Sequence, residues 1–387
     1  MTRIETIASG RIDEQRVGFA DDLSGSEIAR YRLQPGDILF SHINSEPQVG
    51  RTAVYEGVPS LLLHGMNLLL LRTAPGVDSL FLHFLLSHLR DNGTMRALAG
   101  RAVGQSSINQ GRLRSLQISV PELQEQRQIA AVLSAVQRAI ERQERLIFLT
   151  IELKKALMHE LFTDAGEPSR QTEIGQVPQA WTESDLGTIA RLSSGGTPSR
   201  EVSAYWTAGT IPWVKTTEID YCTITETEEQ ITEAGLSNSS AKVFPVGTLL
   251  IAMYGQGLTR GRVAVLGIPA ATNQACAAVM PLSEEEVSTG FLYYFLEFHY
   301  ENLRQRGHGA NQKNLSLALL KQFPVYYPKC SRQQVIVAAL RAVDLKQTIH
   351  ERERASLTAL FRTLLGQLMT AQTSINDLDL SALEVTQ

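Results

Sequence analysis

Apolar residues between Glu122 and Thr163 fall on one side of a helical wheel. Ile129, Leu133, Val136, Ile140 and Ile147 recur at helical spacing, and Leu146, Leu149, Leu153, Leu157 and Leu161 form an adjacent stripe. The stretch holds no Gly and no Pro; Pro121 precedes it, and Asp164, Gly166 and Pro168 end it. About 40 helical residues at ~1.5 Å each span roughly 60 Å, so the seam projects beyond one domain and needs a partner. Ser331 to Thr370 supplies one, with Ser331 and Gln334 spaced as a capping box. Ile336, Leu340 and Val343 repeat Ile129, Leu133 and Val136 at a separation of 207 residues, as Leu364, Leu368 and Thr370 repeat Leu157, Leu161 and Thr163. The chain is an internal repeat, each copy a globular region followed by a long helix.

The globular regions follow one plan. In the first, a turn at Gly36 leads to a strand over Ile38 to Ser41, a polar loop over His42 to Gly50, and a strand over Thr52 to Tyr55. Leu61 to Leu71 reads as a buried strand despite His64, Gly65 and Asn67, Leu80 to Leu98 as helix, and Leu116 to Val120 as a short strand. The run GRAVGQSSINQ, from Gly100, has no strong preference and reads as a loop. In the second region, FPVGTLLIAMYGQGLTRGRVAVLG repeats turn, strand, loop and strand. Gly247 answers Gly36, Gly261-Arg262 answers Gly50-Arg51, and Gln312 and Leu315 answer Gln105 and Ile108. Phe291 to Arg304 is the matching helix.

Composition narrows the function. The formal net charge is −4, and residues 164–330 alone carry 12 basic against 17 acidic side chains. A lone nucleic-acid binder is usually more basic, so any phosphate-contacting surface is expected to be shared with other chains. Three dispersed cysteines, no signal peptide and no apolar run of membrane-span length fit the cytoplasm. A G-x-x-x-x-G-K-[ST] phosphate loop, a G-x-G-x-x-G run after a strand and an N/D-P-P-[FY] run are all missing, and the histidines lack metal-ligand spacing. The pattern is that of a recognition and assembly component rather than an enzyme.

Several short runs occur in a telling order. They are Trp181 with Leu186-Gly187, GGTPS at Gly195 to Ser199, IPWVK at Ile211 to Lys215, Gly261-Arg262, TNQ at Thr272 to Gln274, and Pro121 followed by Glu125-Gln126-Arg127. Taken with a long helix after each region, the chain resembles the specificity subunit of type I restriction–modification systems along nearly its whole length. The first half departs from that pattern: it lacks the W…LG, GTPS and PWVK runs, with IASGRIDEQRVG standing as a short counterpart of RLSSGGTPSREV.

The resemblance implies an α+β fold: two α/β target-recognition domains separated by two long helices packed as an antiparallel coiled coil, with an internal pseudo-twofold repeat. The expected domains are 1–120 (recognition, N-terminally short), 121–163 (spacer helix), 164–328 (recognition), 329–371 (spacer helix) and 372–387 (tail). The implied function is binding of a bipartite, asymmetric duplex DNA target while positioning two methyltransferase subunits; restriction/translocase subunits can join. S-adenosylmethionine, ATP and magnesium would belong to those partners, with no cofactor, metal or catalytic group in this chain.

Candidate DNA-binding residues lie in polar loops beside strands. In the first region they are His42, Asn44, Gln48, Arg51, Arg101, Gln105 and Ser106. In the second they are Thr197, Ser199, Arg200, Lys215, Tyr254, Gln256, Arg260, Arg262, Gln312 and Lys313. Arg suits guanine, Gln and Asn suit adenine, and all can hold phosphate. Arg51 and Arg262 sit at matching places, which favours phosphate contact or fold support; residues that differ between halves, such as Gln48 and Arg260, favour base reading. Trp206 and Trp213 read as core rather than stacking platforms. Arg142, Arg145, Lys154 and Lys155 read as a solvated helix face or a docking surface. Two rival readings stand beside this one: a single-chain nuclease carrying recognition domains, and a helical scaffold that does not bind DNA.

Overall fold

The computed structural model describes residues 1–102, 105–164, 166–255, 257–306 and 314–378. They form two units, one of residues 1–145 with the chain from His350 onward, the other of Leu146–Ile349. The long helices run over Leu123–His159 and Cys330–Met369, and each contributes to both units.

In the second unit a five-stranded sheet has the order Ala190–Ser194, Cys276–Pro281, Leu249–Ala252, Val263–Leu266, Thr223–Ile224. Only its last pairing is parallel. Four strands, Glu229–Ile231, Ile211–Val214, Ala270–Thr272 and Val243–Phe244, make a second sheet. Pro324–Tyr327 pairs with Thr182–Asp185. The helix Thr289–Phe298 packs Phe291, Leu292, Phe295 and Leu296 into a core shared with Met158 of one long helix, Phe162 in the π-helical turn Glu160–Asp164 that follows it, and Ile336 and Leu340 of the other. The start of one helix thus lies with the end of the other, an antiparallel pairing.

The first unit repeats this with fewer strands. Thr52–Val54, Ile38–Phe40 and Leu69–Leu71 form one antiparallel sheet, and Ile43–Asn44, Gln105–Ser107 and Gly100–Ala102 a second. Ile129 and Leu133 pack with Leu365, Leu368, Phe81 and Phe84, again antiparallel. Gln143 Oε1 meets His350 Nδ1 at 2.8 Å. These two residues hold the same place in the repeat, and equivalent residues must meet at one point along an antiparallel pair.

The repeat is also kept in backbone detail. Gly36 N–H donates to Tyr55 O and Gly247 N–H to Leu266 O, both at 2.8 Å. Gly50 donates to Ser41 O and Gly261 to Ala252 O, again at 2.8 Å. All four glycines have positive φ. A Cβ on Gly261 would stand 3.0 Å from Arg304 Cγ, whereas one on Gly247 would meet nothing within 4 Å. Gly247→Ala is therefore expected to carry only the left-handed backbone penalty, about 1–2 kcal/mol, and Gly261→Ala a larger one, in urea unfolding.

Several sequence expectations change. Leu61 to Leu71 is a strand only over Leu69–Leu71. His64 Nε2 lies 2.9 Å from Leu68 O across the turn before it, and Gly65 closes on the backbone of Thr2. The expected helix Leu80 to Leu98 is two, Ser79–Asp91 and Thr94–Leu98, broken at Gly93 with φ 89°. Phe291 to Arg304 likewise divides into Thr289–Phe298 and Tyr300–Gln305. GRAVGQSSINQ is not featureless: it carries the strands Gly100–Ala102 and Gln105–Ser107. Leu116 to Val120 is no strand, because the first unit has no described counterpart of Thr182–Asp185 to pair with it. The stretch set against RLSSGGTPSREV begins at the end of the 3-10 turn Glu5–Ile7 and carries a second, Glu14–Arg16, rather than a strand like Ala190–Ser194. The second long helix begins at Cys330, with Lys329 O accepting from Arg332 and Gln333, so Ser331 lies inside its first turn instead of capping it. Lys154 is no solvated residue; it sits in an ion-pair cluster with Glu297 and Asp344.

Candidate nucleic-acid interface

Strand register in the second unit gathers most of its candidate loops. Ser194 pairs with Ala277, Ala252 with Cys276, and Ile251 with Val263. The loops 195–200, 253–262 and 273–275 therefore leave one end of the five-stranded sheet. Val214 O accepts from Asn273 N at 3.1 Å, which brings Lys215 to the same neighbourhood.

The GGTPS run is glycine-led because it lies flat on its neighbours. A Cβ on Gly195 would fall 2.0 Å from Thr272 O, and one on Gly196 would fall 2.2 Å from Ser240 Oγ. Gly196 O accepts from buried Trp213 Nε1 at 3.0 Å. Thr197 Oγ1 then donates to Gln274 Oε1 at 2.5 Å, while Ser199 and Arg200 are exposed. The Arg200 guanidinium lies 3.6 Å from the ring centroid of Trp206, whose Nε1 donates to Ser199 O. Trp213 is core as expected; Trp206 is a half-buried shelf for Arg200.

Carboxylates hold the cations of this end. Arg200 pairs with Glu229, and Lys215 Nζ lies 2.5 Å from Glu228 Oε2 and 3.2 Å from Glu229 Oε1. Hydrogen bonds to Glu228 and Glu229 raise the Lys215 pKa, and the bond from Arg200 is the main cause holding Glu229 below its usual range. Arg262 Nη1 reaches Asp220 Oδ1 at 2.5 Å and lies over the Tyr221 ring. Such surface pairs are worth about 0–1 kcal/mol, so an arriving phosphate can replace them. Tyr254 is 42% exposed, whereas Arg260 is only 9% exposed. Gln256, Gln312 and Lys313 lie outside the described residues.

The first unit's candidates converge on its small second sheet. Asn44, Ser106 and Arg101 form one cross-strand row, and Gln105 pairs with Ala102 in the next. Ser106 is buried, Gln105 is exposed, and the Arg101 side chain is outside the description. Asn44 Nδ2 donates to Ser41 Oγ at 3.1 Å. His42 O accepts from Ile108 N, as Met253 O accepts from Leu315 N in the other unit. Burial lowers the His42 pKa. Gln48 O accepts from Arg51 N, which closes the loop. Arg51 is half-buried, its buried Nε makes no hydrogen bond, and burial followed by the nearby charge of Arg90 lowers its pKa. Arg51 and Arg262 thus share a backbone place but not a partner.

Sequence reasoning overlooked Glu228, Glu229, Asp220 and Gln274. Gln274 stands in the TNQ triplet just before a strand and was legible there; the acidic residues resemble an ordinary solvated charge run. Among the described residues no His, Cys, Asp and Glu group could hold a metal, and no helix is long and apolar enough to cross a membrane.

Residues 24–147 and 178–359 match the family described as the type I restriction modification DNA specificity domain. The chain is 32% identical over 385 residues to the putative type I restriction enzyme MjaX specificity subunit of Methanocaldococcus jannaschii, covering 96% of this chain and 86% of that one. Its fold is similar to the crystal structure of the type I restriction–modification S subunit from M. genitalium, with TM-score 0.61, 20% identity and coverage of 87% and 84%. A chain from a structure of complex assembly and conformational transition in the type I system aligns with TM-score 0.54, 18% identity and coverage of 87% and 82%. The nuclease and scaffold readings fall with these matches. With its fold built twice around paired long helices, the chain belongs to the type I restriction–modification DNA specificity family, whose members are non-catalytic specificity subunits.

Proposed function

We propose that the chain binds a bipartite, asymmetric duplex DNA target, with residues 1–120 and 164–328 each reading one half. The carrying observation is a conserved backbone frame with different loops: Gly36, Gly50 and Ile108 are matched by Gly247, Gly261 and Leu315, while residues 42–49 and 253–260 differ in chemistry. A shared frame supports one docking geometry; different side chains support two different half-sites. The helices over 121–163 and 329–371 dock two methyltransferase subunits, and restriction/translocase subunits can join. S-adenosylmethionine, ATP and magnesium act on those partners, in the cytoplasm. The near-balanced charge supports phosphate contact shared with them.

Independent reading is testable with the reconstituted methyltransferase. Gln48→Ala is expected to relax discrimination in one half-site only, and Lys215→Ala to affect the other only. A base contact is worth ~1–3 kcal/mol, roughly 5- to 150-fold in the preference; a phosphate contact would lower methylation of all sequences alike. Methylation rates on DNAs altered in one half at a time decide the matter. Either substitution changing both halves equally would overturn independent reading.

A further inference from the structure

Arg51 ends the loop 41–51, and its backbone is fixed from several sides. Gly50 N donates to Ser41 O and Ser41 N to Arg51 O, both at 2.8 Å, which continues the pairing of Ile38–Phe40 with Thr52–Val54. A Cβ on Gly50 would fall 2.9 Å from Met95 Cβ, so the loop lies flat on the helix Thr94–Leu98. Thr52 Oγ1 meets His83 Nδ1 at 2.9 Å, which ties the next residue to the helix Ser79–Asp91. Arg90 stands seven residues after His83, about two turns on, and so on the same face of that helix.

The guanidinium held by this frame has no partner. Its nitrogens make no hydrogen bond or ion pair among the described residues, and Nε is sealed from solvent. Arg262, at the matching place, is held by Asp220 and lies over Tyr221, and Tyr221 N donates to Val263 O at 2.9 Å. Beside Thr52, the counterpart of Val263, the chain passes at Gly10, where a Cβ would lie 4.0 Å from Thr52 O. The residues there, Ala8, Ser9 and Gly10, include no acid to play the part of Asp220.

A second cation stands close by. Arg90 answers Tyr300 at the separation of 210 residues that relates Phe84 to Tyr294, and the Tyr300 ring packs edge to face with Tyr221 at 6.2 Å. Burial, then the charge of Arg90, lowers the Arg51 pKa; Asp91 opposes this with a smaller effect, being bound by Arg90 through Nε at 2.8 Å and Nη2 at 2.7 Å. Burial, followed by the charges of Arg90 and Arg11, pushes the His83 pKa down to about 4, so His83 is neutral at physiological pH. Residues 90–114 carry five arginines and one acid. Two cations side by side, one of them half-buried and unpaired, are costly until an anion completes them.

We infer that Arg51 and Arg90 form a seat for one backbone phosphate of duplex DNA in the half-site read by residues 1–120, a site that rests on the DNA binding proposed above. The planar fork of Arg51 matches two phosphate oxygens, and Nη1 of Arg90 has no protein partner among the described residues. In the second unit a phosphate must displace Asp220 from Arg262; in the first it displaces only water and mobile ions. The positive field of residues 90–114 favours the anion's arrival.

Salt titration of DNA binding by the reconstituted methyltransferase tests this. Each neutralised phosphate contributes roughly 0.9 to the slope of log K against log salt. Arg51→Gln is expected to lower the slope by about that amount and to weaken target and unrelated DNA by the same factor, with both half-site preferences kept. Arg51→Lys keeps the charge and should keep the slope. Single phosphates can also be replaced by uncharged methylphosphonate across the half-site that Gln48→Ala identifies. One such position should weaken binding by the unaltered assembly and have no effect on Arg51→Gln. Should Arg51→Gln not fold, Arg90→Gln takes its place, and a scan of the unaltered assembly that finds no sensitive phosphate in that half overturns the inference. So does an unchanged slope, or a preference lost at one base pair, which would make Arg51 a base reader. Weaker assembly with the methyltransferase at an unchanged slope overturns it too, and would make the occupant a carboxylate of that partner. These outcomes leave the bipartite reading standing, whereas an unaltered assembly indifferent to the first half-site overturns both.

Discussion

Lys154→Met is expected to destabilise the second unit by about 3–5 kcal/mol, the usual effect of removing one partner from a buried ion pair. For a unit of this size that corresponds to a fall of roughly 6–20 °C in its unfolding temperature. Lys154 Nζ donates to Glu297 at 2.7 and 2.9 Å and lies 2.8 Å from Asp344 Oδ1, and Tyr294 donates to Asp344 Oδ2 at 2.7 Å. The Lys154 and Glu297 side chains are only 13% and 16% exposed. Burial raises the Glu297 pKa even with Lys154 in place. A carboxyl raised in the folded state favours folding when protonated, and that contribution is lost as pH rises through its folded value. Without Lys154 the penalty should therefore be largest at neutral pH and shrink as pH falls towards the ordinary carboxylate range. Glu297→Gln in the same chain should recover part of the loss at neutral pH. Thermal unfolding of the single and double variants between acid and neutral pH measures all three outcomes, and a pH-independent penalty would remove Glu297 from the explanation.

Gln126→Ala and Gln333→Ala are expected to cost about 3–5 kcal/mol each, and each in its own unit. Gln126 Nε2 donates to Gly76 O at 3.0 Å and Pro121 O at 2.8 Å, while its Oε1 accepts from Asp78 N at 2.8 Å. Gln333 repeats this with Glu286 O at 2.7 Å, Pro328 O at 2.9 Å and Ser288 N at 2.9 Å. Both glutamines are buried, and Asp78 and Ser288 cap the helices that begin at Ser79 and Thr289. Each side chain thus ties the start of a long helix to the cap of the globular helix. Truncation leaves three backbone groups without partners, each worth about 1–3 kcal/mol when buried. Hydrogen exchange should show Gln126→Ala loosening residues 79–91 and Gln333→Ala loosening 289–298. Loss of protection in both units from either change would show that the clamps do not act locally.

Elements with a sustained period were legible in the sequence, and their partners were not. The helices Leu123–His159 and Cys330–Met369 follow from apolar spacing, and the Gly36/Gly247 and Gly50/Gly261 frames from turn residues at fixed separation. Lys154 was misread because its neighbours on the helix, Glu152 and Lys155, look like a solvated face, whereas Glu297 and Asp344 lie far along the chain. The repeat sharpens the point. Residues answering Lys154 and Tyr294 in the first unit are Phe361 and Phe84, which pack edge to face at 6.0 Å. One position is ionic in one copy and aromatic in the other, so periodicity cannot assign it. The hairpin at 100–107 escaped for another reason: it is polar and short of β-branched residues, and exists through backbone pairing with Ile43–Asn44. At the candidate interface the Gly-Arg pairs marked equivalent places, but only the fold reveals that Asp220 holds Arg262.

The division of the chain also sets an order of events during synthesis. Residues 146–349 form one unit without interruption, whereas the other unit joins residues 1–145 to the chain from His350 onward. Ile129, Leu133, Phe81 and Phe84 are covered only when Leu365 and Leu368 arrive. The ribosome must add roughly 200 further residues first, which at about 5–20 residues per second takes about 10–40 s. The first half to be made is thus the last to finish, and its apolar seam waits in the open while the second half folds. Slow or interrupted translation beyond Arg145 should expose that seam for longer, so chaperone demand falls on the start of the chain rather than on its middle.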